Sequence, residues 1–353
     1  MVGFLLLGTV VFPAQAAFTA LYVFGDGLST TTNNTAGPAY LYDGLRYSNG
    51  RVWVEVLAQR QGLTYDPNKN WSYFYNTSTT LVANVSSFTA PANASNALFV
   101  IWVNCADLWF PALYSGTSMA QWTNAINQAQ TNHYKAVTNL YAKGARTLIM
   151  PNAVDISTIP EFNASPNANF IHLRCLDYNV AFSNTLNRIK ASCPNLKLYT
   201  PDFYALLTNM LAHAANYGLT NALCDGLSID AIDAMNCGYP SASTNGYGTN
   251  YIFWDPYDPT AMVHAWMANT AQQLISPVRI SQLTAFNGSN RLDMANVPVG
   301  QNGLVLGRTN LVLGNWKTNA TFVSTNATQS VFVTNSGPQW FYRLKFLYSW
   351  TWP

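Results

Sequence analysis

Residues 22–29 read Tyr22-Val23-Phe24-Gly25-Asp26-Gly27-Leu28-Ser29. The apolar run stops abruptly at Gly-Asp-Gly, the pattern of a buried strand that delivers a tight turn to the edge of a sheet. Three further short apolar runs follow the same plan. Residues 97–103 end at Asn104-Cys105-Ala106-Asp107, residues 146–150 end at Pro151, and residues 196–200 lead into a helix over 203–214. Long stretches of helical period separate them, 119–143 (stopped by Gly144) and 167–192. Short buried strands alternating with long helices predict an α/β fold, a three-layer α/β/α domain with a parallel sheet. Ligand sites in such sheets lie at the carboxyl ends of the strands. Gly25-Asp26-Gly27, Asn104 to Asp107 and Pro151-Asn152 are therefore expected to converge.

Outward from these strands the pattern is less regular. Ser48 or Asn49 can cap a helix whose face is Val52, Val56 and Leu57. Residues 64–96 are aromatic and polar without clear period and read as loop, with one short strand at most. A Gly-, Ser- and Asn-rich loop (216–250) precedes Tyr251-Ile252-Phe253-Trp254-Asp255, and a helix over 261–275 follows, with Asp258 as its cap and Pro259 in its first turn. Helical period disappears from Pro277, so the domain is expected over 18–276 and a small β-rich module over 284–353. Arg308-Thr309-Asn310-Leu311, Asn315-Trp316 and Trp340-Phe341-Tyr342-Arg343-Leu344 resemble pieces of C-terminal β modules on bacterial extracellular proteins.

The 353 residues are 49% hydrophobic but only 9% charged, against about 25% for an ordinary globular chain. A net charge of +2 provides no basic footprint and argues against a nucleic-acid partner. Residues 1–17 carry an apolar run (Phe4 to Phe12) and small residues around Ala14-Gln15-Ala16, as in a secretory signal. A secreted, extracellular or periplasmic location is expected. The run is shorter than the roughly 20 residues of a membrane span, and no later segment is long enough. Of five cysteines (Cys105, Cys175, Cys193, Cys224 and Cys237), Cys224 and Cys237 are close enough in sequence to form a small disulfide loop. There is no Cys-x-x-Cys, Cys/His cluster, phosphate loop or dinucleotide fingerprint, so no metal and no cofactor is expected.

Gly25-Asp26-Gly27-Leu28-Ser29 resembles the first block of the SGNH (GDSL-type) ester hydrolases, which reads Phe-Gly-Asp-Ser-Leu-Ser with its first serine as nucleophile. The resemblance extends over roughly residues 19–275, in four ordered blocks. Gly27 stands at the nucleophile position. The second block, Arg46 to Trp53, keeps Gly50, whose N–H the family directs at the oxyanion. In the third block, Asn104-Cys105-Ala106-Asp107, Ala106 replaces the oxyanion asparagine. In the fourth, Asp255-Pro256-Tyr257-Asp258-Pro259-Thr260, the orienting Asp255 is present and Asp258 replaces the catalytic histidine. Serine chemistry needs the attacking hydroxyl, a base to take its proton and donors for the oxyanion. By this resemblance the chain is a secreted ester hydrolase acting on a glycan acyl or short-chain lipid ester, impaired or inactive as written. The alternative is a pseudoenzyme whose old cleft binds a carbohydrate or protein partner.

Candidate substitutes are few. Ser29 and Thr30 follow the turn closely and read as turn or cap residues. His264 is the histidine nearest the fourth block and a possible replacement base. His133, His172 and His213 fall on helices without a carboxylate motif. Asp26, Asp107, Asp255 and Asp258 can gather at the strand ends, where turn capping is the simplest reading and a cation site or glycosidase pair a lesser one.

Overall fold

The computed structural model describes residues 18–31, 45–219, 251–286, 288–334 and 339–347. The expected signal stretch, Cys224, Cys237 and the aromatic C-terminal residues from 348 lie outside them. The chain divides into two compact units. One holds Phe18–Ala58 and Leu63–Ile275; the other holds Gln59–Gly62 and the described residues from Ser276 onward.

In the first unit four parallel strands stand side by side in chain order: β1 (Leu21–Gly25), β2 (Leu98–Trp102), β3 (Thr147–Ile149) and β4 (Lys197–Tyr199). β1 and β2 are buried along their full length, as uninterrupted apolar runs require. Outside β1, a parallel bridge joins Val23 to Asn70, and the Trp71 N–H donates to the Val23 carbonyl at 2.8 Å. The chain thus leaves β1, returns along its outer side, and crosses to β2 on the inner side. This reversal makes the carboxyl end of β1 the switch point of the sheet, where α/β proteins open a crevice.

Among the described residues the helices are α1 (Trp53–Arg60), α2 (Ser78–Ser87), α3 (Asn104–Tyr114), α4 (Met119–Ala142), α5 (Pro160–Asn163), α6 (Ala168–Ser192), α7 (Phe203–Ala212) and α8 (Ala261–Ile275). α2, α3 and α6 pack against α4, and α7 packs with α8. Aromatic side chains fill both faces of the sheet. Phe24 stacks on Trp71 at 5.0 Å, with Phe88 and Phe99 beside Tyr22, while Trp102 meets Trp53 and Phe203 edge-on. Phe99 and Trp102 are three apart on β2 and so point to opposite faces. α4 ends where expected, at Gly144, whose φ of 98° is costly for any other residue.

Several local expectations are corrected. Residues 64–96 contain α2 and two 3₁₀ turns and, among the described residues, no strand. Asn104 to Asp107 opens α3 instead of closing as a turn. Phe253 forms a single bridge with Pro259, so Asp255 sits in a tight turn and follows no strand. The caps also differ. Asn49 Oδ1 accepts the Ala261 N–H at 2.9 Å, capping α8 from 212 residues away in sequence. α1 instead uses its own Glu55, which accepts the Val52 N–H at 3.0 Å and pairs with Arg46. Because Asn49 supplies the α8 cap, the Asp258 carboxyl is left for other contacts.

The second unit consists of two three-stranded antiparallel sheets. Their strands are β5 (Arg279–Phe286), β6 (Ser289–Ala295), β7 (Asn302–Arg308), β8 (Lys317–Val323), β9 (Thr328–Thr334) and β10 (Phe341–Leu347), in orders β5-β6-β9 and β10-β7-β8. Leu292, Met294, Val297, Val305, Val331 and Val333 form its core. β5 begins five residues before the expected boundary at 284. It is a half-exposed edge strand without a clean alternation, which hid it in the sequence.

Candidate active-site cleft

The turn after β1 is built by close approach. A Cβ on Gly25 would stand 2.7 Å from both Ser29 Cβ and Ser72 Oγ, so only glycine lets the chain fold back this tightly. The Asp26 carboxylate caps the 3₁₀ turn Gly27–Ser29 by accepting the Leu28 N–H at 3.2 Å, and its other oxygen takes the Ala106 N–H at 3.3 Å from the start of α3. Burial, with a smaller push from the neighbouring Asp107, outweighs those two N–H donors and raises this carboxyl to about 7.

A cleft opens beside this turn. Gly27, Ala106 and Asp258 all line it; the first two stand at strand ends as expected, where Asn104 also donates to the Pro151 carbonyl at 3.0 Å, whereas Asp258 comes from the turn before α8. One wall is aliphatic (Leu28, Val154, Ile156 and Ile159), and Phe74, Tyr75, Trp109 and Tyr257 supply aromatic rings. Its cavity is about 80 Å³, room for several waters and hence for a small ligand group. Asp258 is 6% exposed, and burial, with Asp255 and Asp26 nearby, drives its carboxyl well above the ordinary range. Part of that rise comes from a side-chain hydrogen bond with Asp255, so the two carboxyls hold one another beside the cleft. Cys105 also lines the cleft, but burial raises its thiol well above the normal value, and Asp26 adds to that. A protonated thiol is a poor nucleophile.

The remaining expected residues lie elsewhere. Asp255 is buried, and its Oδ1 holds the turn by accepting the N–H groups of Tyr257 at 2.8 Å and Asp258 at 2.7 Å. Gly50 is buried and is not among the described residues lining the cleft. Ser29 is fully buried, its Oγ accepting the Trp53 indole N–H at 3.0 Å. Thr30 donates to the Ser72 carbonyl. His264, on α8, is fully buried with neither ring nitrogen hydrogen-bonded, and burial lowers it to about 3. Asp107 caps α2 through the Ser78 N–H at 2.9 Å. Among the described residues no group of three or more His, Cys, Asp or Glu is placed to hold a metal ion.

His133 is buried on α4, its Nδ1 2.8 Å from the Ala129 carbonyl, and His213 is exposed at the end of α7. His172 departs from expectation because it does have a carboxylate partner. Its Nδ1 lies 2.5 Å from Asp155 Oδ2, and Asp155 Oδ1 accepts the Ser157 N–H and hydroxyl. Asp155 falls between the cleft-lining Val154 and Ile156, so the pair braces the back of that wall. All four histidines of the chain are therefore accounted for, and none lines the cleft.

Sequence reasoning expects a cleft rich in Tyr and Trp but does not name the rings that form its wall. Tyr73-Phe74-Tyr75 was the available signal, an aromatic triplet just before a helix. Tyr75 takes the left-handed backbone region (φ 65°), is 47% exposed, and leans on Trp109 and Phe110. A non-glycine residue held there costs on the order of 1–3 kcal/mol and is typical of ligand-contacting segments.

A parallel sheet whose switch point carries an acidic turn, with three motif positions in one cleft, defines a hydrolase-type α/β protein. A family model described as GDSL-like Lipase/Acylhydrolase matches residues 21–271, and the chain belongs to that family. One GDSL esterase/lipase of Arabidopsis thaliana is 24% identical over 207 residues, 54% of this chain and 53% of its own length. Another is 22% identical over 262 residues, 70% of this chain and 72% of its own. The chain thus spans about half the length of the first of these relatives. Among solved structures, a phospholipase A1 from Streptomyces albidoflavus NA297 aligns over 72% of this chain and 100% of its own, with 12% identity and a TM-score of 0.44.

The Asp26 shift has a measurable consequence. The folded chain keeps this carboxyl protonated up to about pH 7, whereas an unfolded aspartate titrates near 3.9. Between those values the folded state holds a proton that the unfolded state has released, so this group's contribution to stability falls as pH rises. Asp26→Asn removes the titration. Its unfolding midpoint relative to the parent chain is expected to climb from about pH 4 to 7 and then level off. A change in hydrogen bonding would add only a constant offset. A flat or falling difference would show that Asp26 is not held protonated.

Proposed function

We propose that this chain is a GDSL-family protein that binds a small, largely apolar ligand in the former esterase cleft without hydrolysing it by the serine route. The observation that carries this reading is the nucleophile position itself. Gly27 faces the cleft with no hydroxyl, and the adjoining thiol is held protonated. The aliphatic wall favours an acyl or aryl group over a sugar ring, which needs more polar partners. Asp258 is a polar group at the edge of that wall, and the Trp109 ring offers a face for stacking.

The probe is a short-chain aryl ester titrated into the intact chain, with tryptophan fluorescence reporting binding and released phenol reporting hydrolysis. Saturable binding is expected with phenol release at the buffer rate, and Trp109→Ala is expected to weaken binding by about fivefold. Phenol release proportional to protein concentration, or binding unmoved by Trp109→Ala, would overturn the reading.

A further inference from the structure

The second unit carries an apolar tip. The β7–β8 hairpin turns through Thr309 to Trp316, and its apex is Leu311-Val312-Leu313, exposed by 57%, 87% and 70%. These three aliphatic side chains are consecutive, and Val312 is the most exposed large hydrophobic residue of the described chain. The apex is nevertheless firmly built. Asn310 Oδ1 accepts the N–H groups of Val312 at 2.8 Å and Leu313 at 3.0 Å, Arg308 donates to the Asn310 carbonyl, and Gly314 closes the turn at φ 87°. A loop ordered by its own hydrogen bonds is thus holding apolar side chains out in water, the reverse of what folding alone favours.

The surroundings of the tip are cationic. Arg308 and Arg343 both lie over the Trp316 ring, at 5.1 and 4.4 Å, and Lys317 opens β8 directly beside it. In the β7–β10 register, Arg308, Arg343 and Lys345 share one face of the sheet. From Met294 to the end of the sequence there is no Asp or Glu, against four basic residues. Exposed aliphatics at an apex, an amphipathic tryptophan behind them and a collar of positive charge match the profile of an anionic lipid surface: apolar acyl region, interface and negative headgroups in that order.

We infer that the β7–β8 hairpin docks this chain on anionic lipid surfaces, with Leu311, Val312 and Leu313 entering the acyl boundary and the Arg308, Lys317 and Arg343 collar meeting the headgroups. A polysaccharide would make little use of three aliphatic side chains. A second copy of the chain would present the same positive collar and be repelled. The inference does not depend on what the cleft binds.

The test is co-sedimentation of the full chain with phosphatidylglycerol/phosphatidylcholine vesicles and with pure phosphatidylcholine vesicles. Binding is expected to the anionic vesicles, to weaken with added salt, and to be at least tenfold weaker on phosphatidylcholine alone. Val312→Asp with Leu313→Asp is expected to reduce it tenfold or more. Lys317→Glu with Arg343→Glu should weaken it by a similar factor, since each basic residue near such a surface contributes about fivefold. All four positions are exposed, and an unchanged unfolding midpoint confirms that the variants remain folded. No sedimentation with anionic vesicles, equal binding to both compositions, or wild-type binding by the aspartate variant would overturn the inference. So would gel filtration showing that the tip holds two copies together.

Discussion

Gly27→Ser, Ala106→Asn and Asp258→His, introduced together, are expected to raise hydrolysis of short-chain chromogenic esters by about 10³-fold or more over the chain as it stands, which should not exceed buffer. The magnitude follows from what the missing groups are worth, since loss of a triad member costs on the order of 10⁴ to 10⁶ in rate. The cleft can take the new side chains. A Cβ at Gly27 would meet Phe74 at 3.5 Å and Tyr47 at 3.8 Å, which is ordinary contact. Positions 106 and 258 already face the same cavity. Asp255 lies three residues before the new imidazole, in the turn that carries it. Each single substitution should remain inactive, because hydroxyl, base and oxyanion donor work as a unit. Turnover by the unmodified chain would refute the proposed loss of chemistry. A folded but inactive triple variant would show that the cleft has lost more than three groups, with Asp255, committed to the Tyr257 and Asp258 N–H groups, the first suspect.

The sequence made the sheet legible because β1 and β2 are buried on both faces. Such strands must be continuously apolar, and no other element mimics them at that length between Gly- and Asp-bearing turns. The motif positions were legible because they are short and local. What was hidden depends on contacts distant in sequence. Asn49 capping α8, and Asp107 capping α2, join residues whose partners lie 212 and 29 positions away. α2 was hidden because its sequence, Ser-Thr-Thr-Leu-Val-Ala-Asn-Val-Ser-Ser, is poor in strong helix formers and buries only Ser78, Leu81 and Val85. Missing that helix also hid which rings line the aromatic wall, since Phe74 and Tyr75 are positioned by the turn that enters it. The Asp155–His172 contact spans 17 residues between a wall loop and α6, with no motif to announce it.

Trp53→Ala is expected to cost about 3–5 kcal/mol of stability, the largest single loss anticipated in the first unit. The indole is fully buried and meets Trp102 at 5.8 Å and Phe203 at 5.4 Å, both edge-on, so its removal leaves a cavity between α1, β2 and α7. It also ties α1 to the cleft turn, since its N–H donates to Ser29 Oγ while the Ser29 carbonyl accepts from Asn70. Trp53→Phe keeps most of the packing and loses the donor, and should cost about 1–2 kcal/mol. Denaturant unfolding of Trp53→Phe, Ser29→Ala and the double variant separates the two contributions. A coupling of about 1 kcal/mol is expected if the hydrogen bond holds the turn. Strict additivity would mean that Ser29 is fixed by packing alone, with Gly25 admitting it and the indole merely covering it. A coupled pair would assign Ser29 a positioning role for the turn that carries Asp26 and Gly27, and would explain why its hydroxyl points into the core and away from the cleft.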